Sequence, residues 1–156
     1  MRQMQVFLTA VLLFVVGNSN SSQAQPESTM QKSLYQRLGG YDAIAAVTDD
    51  FIGRLIADPQ LTKFFTGHSA DSKKRIRQLV VDQLCAVTGG PCVYIGRDMK
   101  TVHAGLGITE ADWESSVKLL AASLDKFKVP HKEKDEFLAL ASSLKKDIVD
   151  SPAMKK

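Results

Sequence analysis

From Leu34 onward, apolar residues recur every three or four positions, the spacing that lines up side chains on one face of an α-helix. Leu34 and Leu38 fit a short helix, and Ile44, Val47, Phe51 and Leu55 fit a longer one, with Gly39-Gly40 as the turn between them. Asp58-Pro59 closes the second helix, because a residue before proline is pushed out of the helical region. Leu61 to Phe65 form a compact apolar corner. A third helix is expected from about Asp71, with Ile76, Leu79, Val80 and Leu84 on one side, and it stops at Gly89-Gly90-Pro91. A loop through Tyr94 and Gly96 leads to a brief helix over 99–104. Thr109 and Asp112 have the spacing of a capping box, with aspartate in place of the usual glutamate. They open a helix through Trp113, Val117, Leu120, Leu124 and Phe127, which Val129-Pro130 ends. One last helix is expected over about 132–149. No stretch shows the period-two alternation of a strand, so the fold class is all-α.

The first 24 residues read as an address rather than as fold. Arg2 supplies a positive start, residues 6–16 are almost continuously apolar, and a small-residue stretch ends at Ala24. That is the layout of a secretory signal peptide cut after Ala24, and the apolar run is shorter than the roughly 18 residues of a spanning helix. The expected organisation is a signal peptide over 1–24, a flexible leader over 25–32, one domain over 33–150 and a flexible tail over 151–156. The expected location is periplasmic or secreted, with no lasting membrane insertion; a retained anchor is the alternative.

Length and charge narrow the functional classes. The 156 residues suit a single domain. The net charge of +3 is small and dispersed, so no nucleic-acid partner is expected, and Lys73-Lys74-Arg75 with Arg77 reads as a solvated helix face. Cys85 and Cys92 are the two cysteines, and an oxidising compartment allows them to pair. A bridge is the expectation and two free thiols the alternative, since the distance between their Cα atoms decides.

Phosphate loops, His-Glu-x-x-His zinc pairs and Gly-x-Ser-x-Gly elbows are missing from the sequence, and Asp49 with Asp50 forms no recognisable acid-base dyad. Three histidines remain. His131 follows Pro130 at a helix start, and His68 sits in a polar turn. His103 stands among Met99, Val102, Leu106 and Ile108 on the brief helix. Taken alone, an apolar setting is more often that of a core histidine than of a ligand.

The wider pattern carries a resemblance. Leu34-Tyr35-x-x-Leu38-Gly39-Gly40, Asp50-Phe51, Ala57-Asp58-x-x-Leu61-x-x-Phe64-Phe65, Gly89-Gly90-Pro91, Tyr94-x-Gly96-Arg97-x-Met99-x-x-x-His103 and Leu106-x-Ile108 together resemble group I truncated haemoglobins over about 33–150. The resemblance implies a shortened globin fold, two helix pairs stacked crosswise around a haem b (iron protoporphyrin IX). It implies His103 as the ligand of the iron, with neutral imidazole nitrogen as the donor. Phe65 would pack on the porphyrin, Phe64 and Phe51 would line the same cavity, and Met99, Leu106, Ile108, Trp113, Val117 and Leu120 would fill the proximal side and floor. Lys100 or Arg97 would pair with a propionate.

The sequence departs from that family on the distal side. A tyrosine usually follows the phenylalanine matching Phe51; here Ile52 does. Counting back from Gly89-Gly90, the positions where the family often carries glutamine fall on Ile76 and Val80, and Leu79 stands where some relatives supply a sixth ligand. The expectation is an apolar distal pocket with an open or water-bound sixth site, unless a shifted register brings Gln78 or Gln83 into it. Reversible binding of a diatomic gas (oxygen, nitric oxide or carbon monoxide) by a monomer or weak oligomer is the first function implied. Nitric oxide dioxygenation or a peroxidase-like reaction, with an unknown electron donor, is the alternative. A haem-free helical interaction module is the third.

Overall fold

The computed structural model describes residues 31–150; the expected signal peptide, most of the leader and the tail after 150 lie outside the described residues. Seven α-helices and one 3-10 turn make up that part: α1 (Leu34–Arg37), α2 (Tyr41–Ala57), the 3-10 turn Thr62–Phe65, α3 (Ala70–Val87), α4 (Met99–His103), α5 (Glu110–Lys126), α6 (His131–Ser143) and α7 (Lys145–Ile148). The described residues are all-helical, as the apolar spacing requires.

Side-chain caps set the helix starts. Ser33 Oγ accepts from Gln36 N–H while Gln36 Oε1 accepts from Ser33 N–H, a capping box at α1. Thr109 and Asp112 make the box expected at α5, and Asp112 does more than cap. Only 2% exposed, its carboxylate also accepts from Gln60 Nε2 at 2.9 Å and Lys63 Nζ at 3.1 Å, which ties the turn after α2 to the start of α5.

The expected last helix is two segments. Ser142 and Ser143 hydroxyls donate back to the carbonyls of Leu138 and Leu140, both at 2.7 Å, and the backbone tightens to a three-residue bond from Leu144 N–H to Ala141. Such local bonds compete with the helix ladder and bend it, so α7 leaves the line of α6 and packs against α4.

α2 packs on both α3 and α5 and contributes to two core clusters. Val47 joins Leu34, Leu120, Leu124 and Phe137 in one; Ile44 joins Val81 and Cys85 in the other. Cys85 and Cys92, seven positions apart in sequence, are bridged, with Cα atoms 5.7 Å apart. Closing so short a loop restricts the unfolded chain by about 2.5 kcal/mol on the chain-entropy account. The glycines beside the bridge are required by geometry. Gly89 has φ of 83°, and a Cβ on Gly90 would stand 2.7 Å from Cys85 Sγ and 2.5 Å from the Tyr35 ring.

Two carboxylates are held well below the usual range. Hydrogen bonds from Lys126, Arg54 and Ser123 lower Asp50. Burial pushes Asp112 up, but bonds from Thr109, Gln60 and Lys63 outweigh it and leave the group lowered. The unfolded chain therefore binds more protons in acid, and the stability these groups confer is present above about pH 4 and lost as pH falls through the folded values. Denaturant midpoints measured against pH should fall below about pH 4 in the wild type, less steeply in Asp50→Asn and Asp112→Asn. Leu124→Ala, which empties a side chain 1% exposed in the first cluster, should lower unfolding free energy by about 2–5 kcal/mol in chemical denaturation.

Candidate functional site

His103 is the last residue of α4, a helix of five residues. Asp98 starts that helix: its carboxylate accepts from Thr101 N–H at 2.9 Å and Thr101 Oγ1 at 2.7 Å. One turn of helix then brings the His103 ring back over Met99. His103 Nδ1 lies 2.8 Å from the Met99 carbonyl oxygen, which has no proton of its own, so Nδ1 carries the hydrogen and donates it. With that hydrogen on Nδ1, the neutral form of the ring has its lone pair on Nε2. The ring is half-buried. After α4, Gly107 N–H donates to Asp150 Oδ2 at 2.7 Å and Asp150 N–H to the Ile108 carbonyl at 2.9 Å, so the end of the last helix holds the histidine's loop.

α3 has two unlike flanks. Val81 and Cys85 enter the core with Ile44 of α2. Ile76 and Val80, four positions apart, are half-buried and belong to neither core cluster. Gln78 is turned about 200° from Ile76 on a helix of 3.6 residues per turn. Its amide donates to Tyr41 Oη at 2.9 Å and Asp82 Oδ1 at 2.8 Å, while the neighbouring Arg77 grips Asp49 with two bonds of 2.6 and 2.8 Å. Gln78 is thus committed to the α2 side, away from the flank of Ile76 and Val80. Gln83 is in phase with Ile76 and half-buried, one turn beyond Val80.

The remaining residues singled out from the sequence divide by environment. Ile52 on α2 and Trp113 on α5 are buried. Phe51 is half-buried and packs against the first core cluster, and Leu120 lies within that cluster. Phe64, Phe65, Met99, Ile108 and Val117 are half-buried outside both clusters, with Lys63 Nζ over the Phe64 ring at 4.8 Å. Leu106, expected on the proximal side, is 46% exposed, because the chain turns at Gly105 and Gly107 on either side of it and carries it outward. Lys100 and Arg97 are exposed and form no salt bridge among the described residues. The Met99 carbonyl was not among the expected site groups; its signal was the four-residue spacing to His103, one helical turn.

The donor set suits one kind of metal group. Among the described residues no three His, Cys, Asp or Glu side chains gather to hold a bare ion. A single oriented imidazole with half-buried apolar neighbours fits a metal that arrives with its other ligands already in place, as in a porphyrin. Comparison with known proteins gives the same answer independently. Residues 33–150 match the family model for bacterial-like globins. The chain belongs to that family. It is 36% identical over 123 residues to the group 1 truncated hemoglobin GlbN of Mycolicibacterium paratuberculosis, covering 79% of this chain and 88% of the relative. Group 1 truncated hemoglobin LI410 of Chlamydomonas moewusii is 27% identical, with 88% of this globin and 80% of the relative covered. The fold matches crystal structures of truncated hemoglobin from Tetrahymena pyriformis with a TM-score of 0.71 and 25% identity, over 77% of this chain and 100% of the other. Variants solved for that protein alter one tyrosine and two glutamines four positions apart. The two-over-two helical architecture implied by the sequence motifs is therefore the architecture of this globin.

His103→Ala leaves the α4 cap intact and removes the only histidine of that helix. The far-ultraviolet helical signal should stay within about a tenth of wild type, because helix in a domain rests on packing rather than on one exposed-edge residue. Circular dichroism of the two proteins checks this.

Proposed function

We propose that this globin holds a haem b through His103 Nε2 and binds a diatomic gas reversibly at the iron. The observation that carries the reading is the 2.8 Å bond between His103 Nδ1 and the Met99 carbonyl, which fixes the tautomer and aims the other nitrogen. When bound, the haem would supply an iron able to take a small exogenous ligand. The chain's own residues supply the rest. Phe65 and Phe64, on the 3-10 turn, with Met99, Ile108 and Val117, provide apolar walls that keep water away. Trp113 closes the floor behind them, and Lys100 or Arg97 reaches a propionate from the surface.

On the distal side we assign Ile52, Ile76 and Val80. None of the three has a hydrogen to donate. Ile76 and Val80 have the same four-residue separation as the two glutamines altered in the Tetrahymena pyriformis protein. A hydrogen bond to a bound gas is worth about 0.5–1.5 kcal/mol when neutral and 1.5–3 when charge-assisted. Oxygen gains most from such a bond, whereas carbon monoxide and nitric oxide depend on it little, so selectivity tilts towards the latter two. The same side chains offer no polar group to help split peroxide, which puts gas binding ahead of the redox readings. The apolar stretch at 6–16 and the Cys85–Cys92 bridge both support an oxidising location outside the cytoplasm.

Two measurements test this. Purified protein should show ferric, ferrous and carbonmonoxy haem spectra, and His103→Ala should lose or weaken haem; a wild type that takes up no haem removes the reading. In stopped-flow experiments, Val80→Gln should slow oxygen release roughly tenfold, the equivalent of about 1.4 kcal/mol, with a smaller change for carbon monoxide. Gln78→Leu should leave both rates within about twofold, since that amide is engaged on the other flank.

A further inference from the structure

A helix of five residues does not sustain itself, so α4 depends on what holds its two ends. On the C-terminal side the holder is Asp150, through Gly107 and Ile108. On the N-terminal side the chain from 93 to 98 has little of its own. Val93 and Ile95 are 76% and 81% exposed, and the internal bonds of the stretch are Tyr94 Oη to the Arg97 carbonyl at 2.6 Å and the Asp98 cap. The next firm point upstream is Cys92. It is covalently joined to Cys85, whose side chain is 0% exposed and packed with Ile44 and Val81. Cys85 lies on α3, the helix that also bears Ile76 and Val80.

We propose that the Cys85–Cys92 disulfide is a positioning device for His103, fixing the histidine-bearing segment to α3 and so setting how firmly the imidazole is held at the iron. The inference rests on the haem reading above. It differs from a general staple in what it affects. A staple raises stability alone; a positioning link also changes the bond between histidine and iron. With the bridge open, the segment from 88 to 98 keeps the bonds of Thr88, Gly89 and Gly90 at its start and the packing of Cys92 against the second cluster, but no covalent tie to α3.

The test uses the purified, haem-loaded protein in three forms: oxidised wild type, wild type reduced by a water-soluble phosphine, and the double variant Cys85→Ala/Cys92→Ser. The readouts are the iron–histidine stretching band of the ferrous form and the rate of haem transfer to an excess of scavenging apoprotein. Both opened forms should show a shifted or broadened band and about tenfold faster haem transfer, the lower end of what losing an outer-shell support does to a metal site. Arg37→Met, which removes the ion pairs from α1 to Glu133 and Glu136 on α6, serves as the comparison for plain destabilisation: its melting temperature should fall with the band unmoved. The inference is overturned if opening the bridge lowers the melting temperature while band and transfer rate stay at wild-type values. If the oxidised wild type binds no haem at all, the haem reading itself fails, a result distinct from the first.

Discussion

A neutral imidazole offers a metal one nitrogen only when something settles where its single proton sits. In this globin the Met99 carbonyl does so, 2.8 Å from His103 Nδ1, within one turn of helix. That bond needs α4 to exist, and α4 is too short to exist by its own ladder. The Asp98 cap, the Asp150 bonds and the packing of α7 act on those five residues or the loop that follows them.

Helix α3 divides its labour between two flanks. One carries Val81 and Cys85 into the core with Ile44. The same side presents Gln78 and Arg77 to α2, where Tyr41 and Asp49 receive them. Ile76 and Val80 are left on the other, without a hydrogen-bonding group at either position. Because Gln78 and Arg77 are satisfied by α2, the polar residues of the helix act as a register pin. A rotation of α3 that brought Gln78 round would break its bonds to Tyr41 and expose Val81 and Cys85 to solvent. That Ile76 and Val80, rather than Gln78, occupy this flank is thus a consequence of packing elsewhere.

Legibility in the sequence tracked how local each determinant is. The helices at Ile44-Val47-Phe51 and Leu120-Leu124 were readable because periodicity is a property of neighbours, and the Thr109–Asp112 box because its two members sit three apart. The bend at Leu144 was not, since Ser142 and Ser143 are equally compatible with an exposed helix until their hydroxyls turn inward to Leu138 and Leu140. The second task of Asp112 was hidden because Lys63 and Gln60 lie 49 and 52 positions away. His103 is singled out by its motif, whereas the engagement of Gln78 depends on Tyr41, 37 positions upstream, which no local pattern announces. The exposure of Leu106 depends on the turns at Gly105 and Gly107 around it, which periodicity does not report.

The bonds from Asp150 have a consequence for how the molecule is made. Gly107 and its acceptor are 43 positions apart, and the acceptor lies at the close of the last helix. Synthesis delivers the chain from its N-terminus, so every buried residue of the two core clusters, Phe137 of α6 included, emerges before that carboxylate does. The loop after His103 is therefore among the last parts to set.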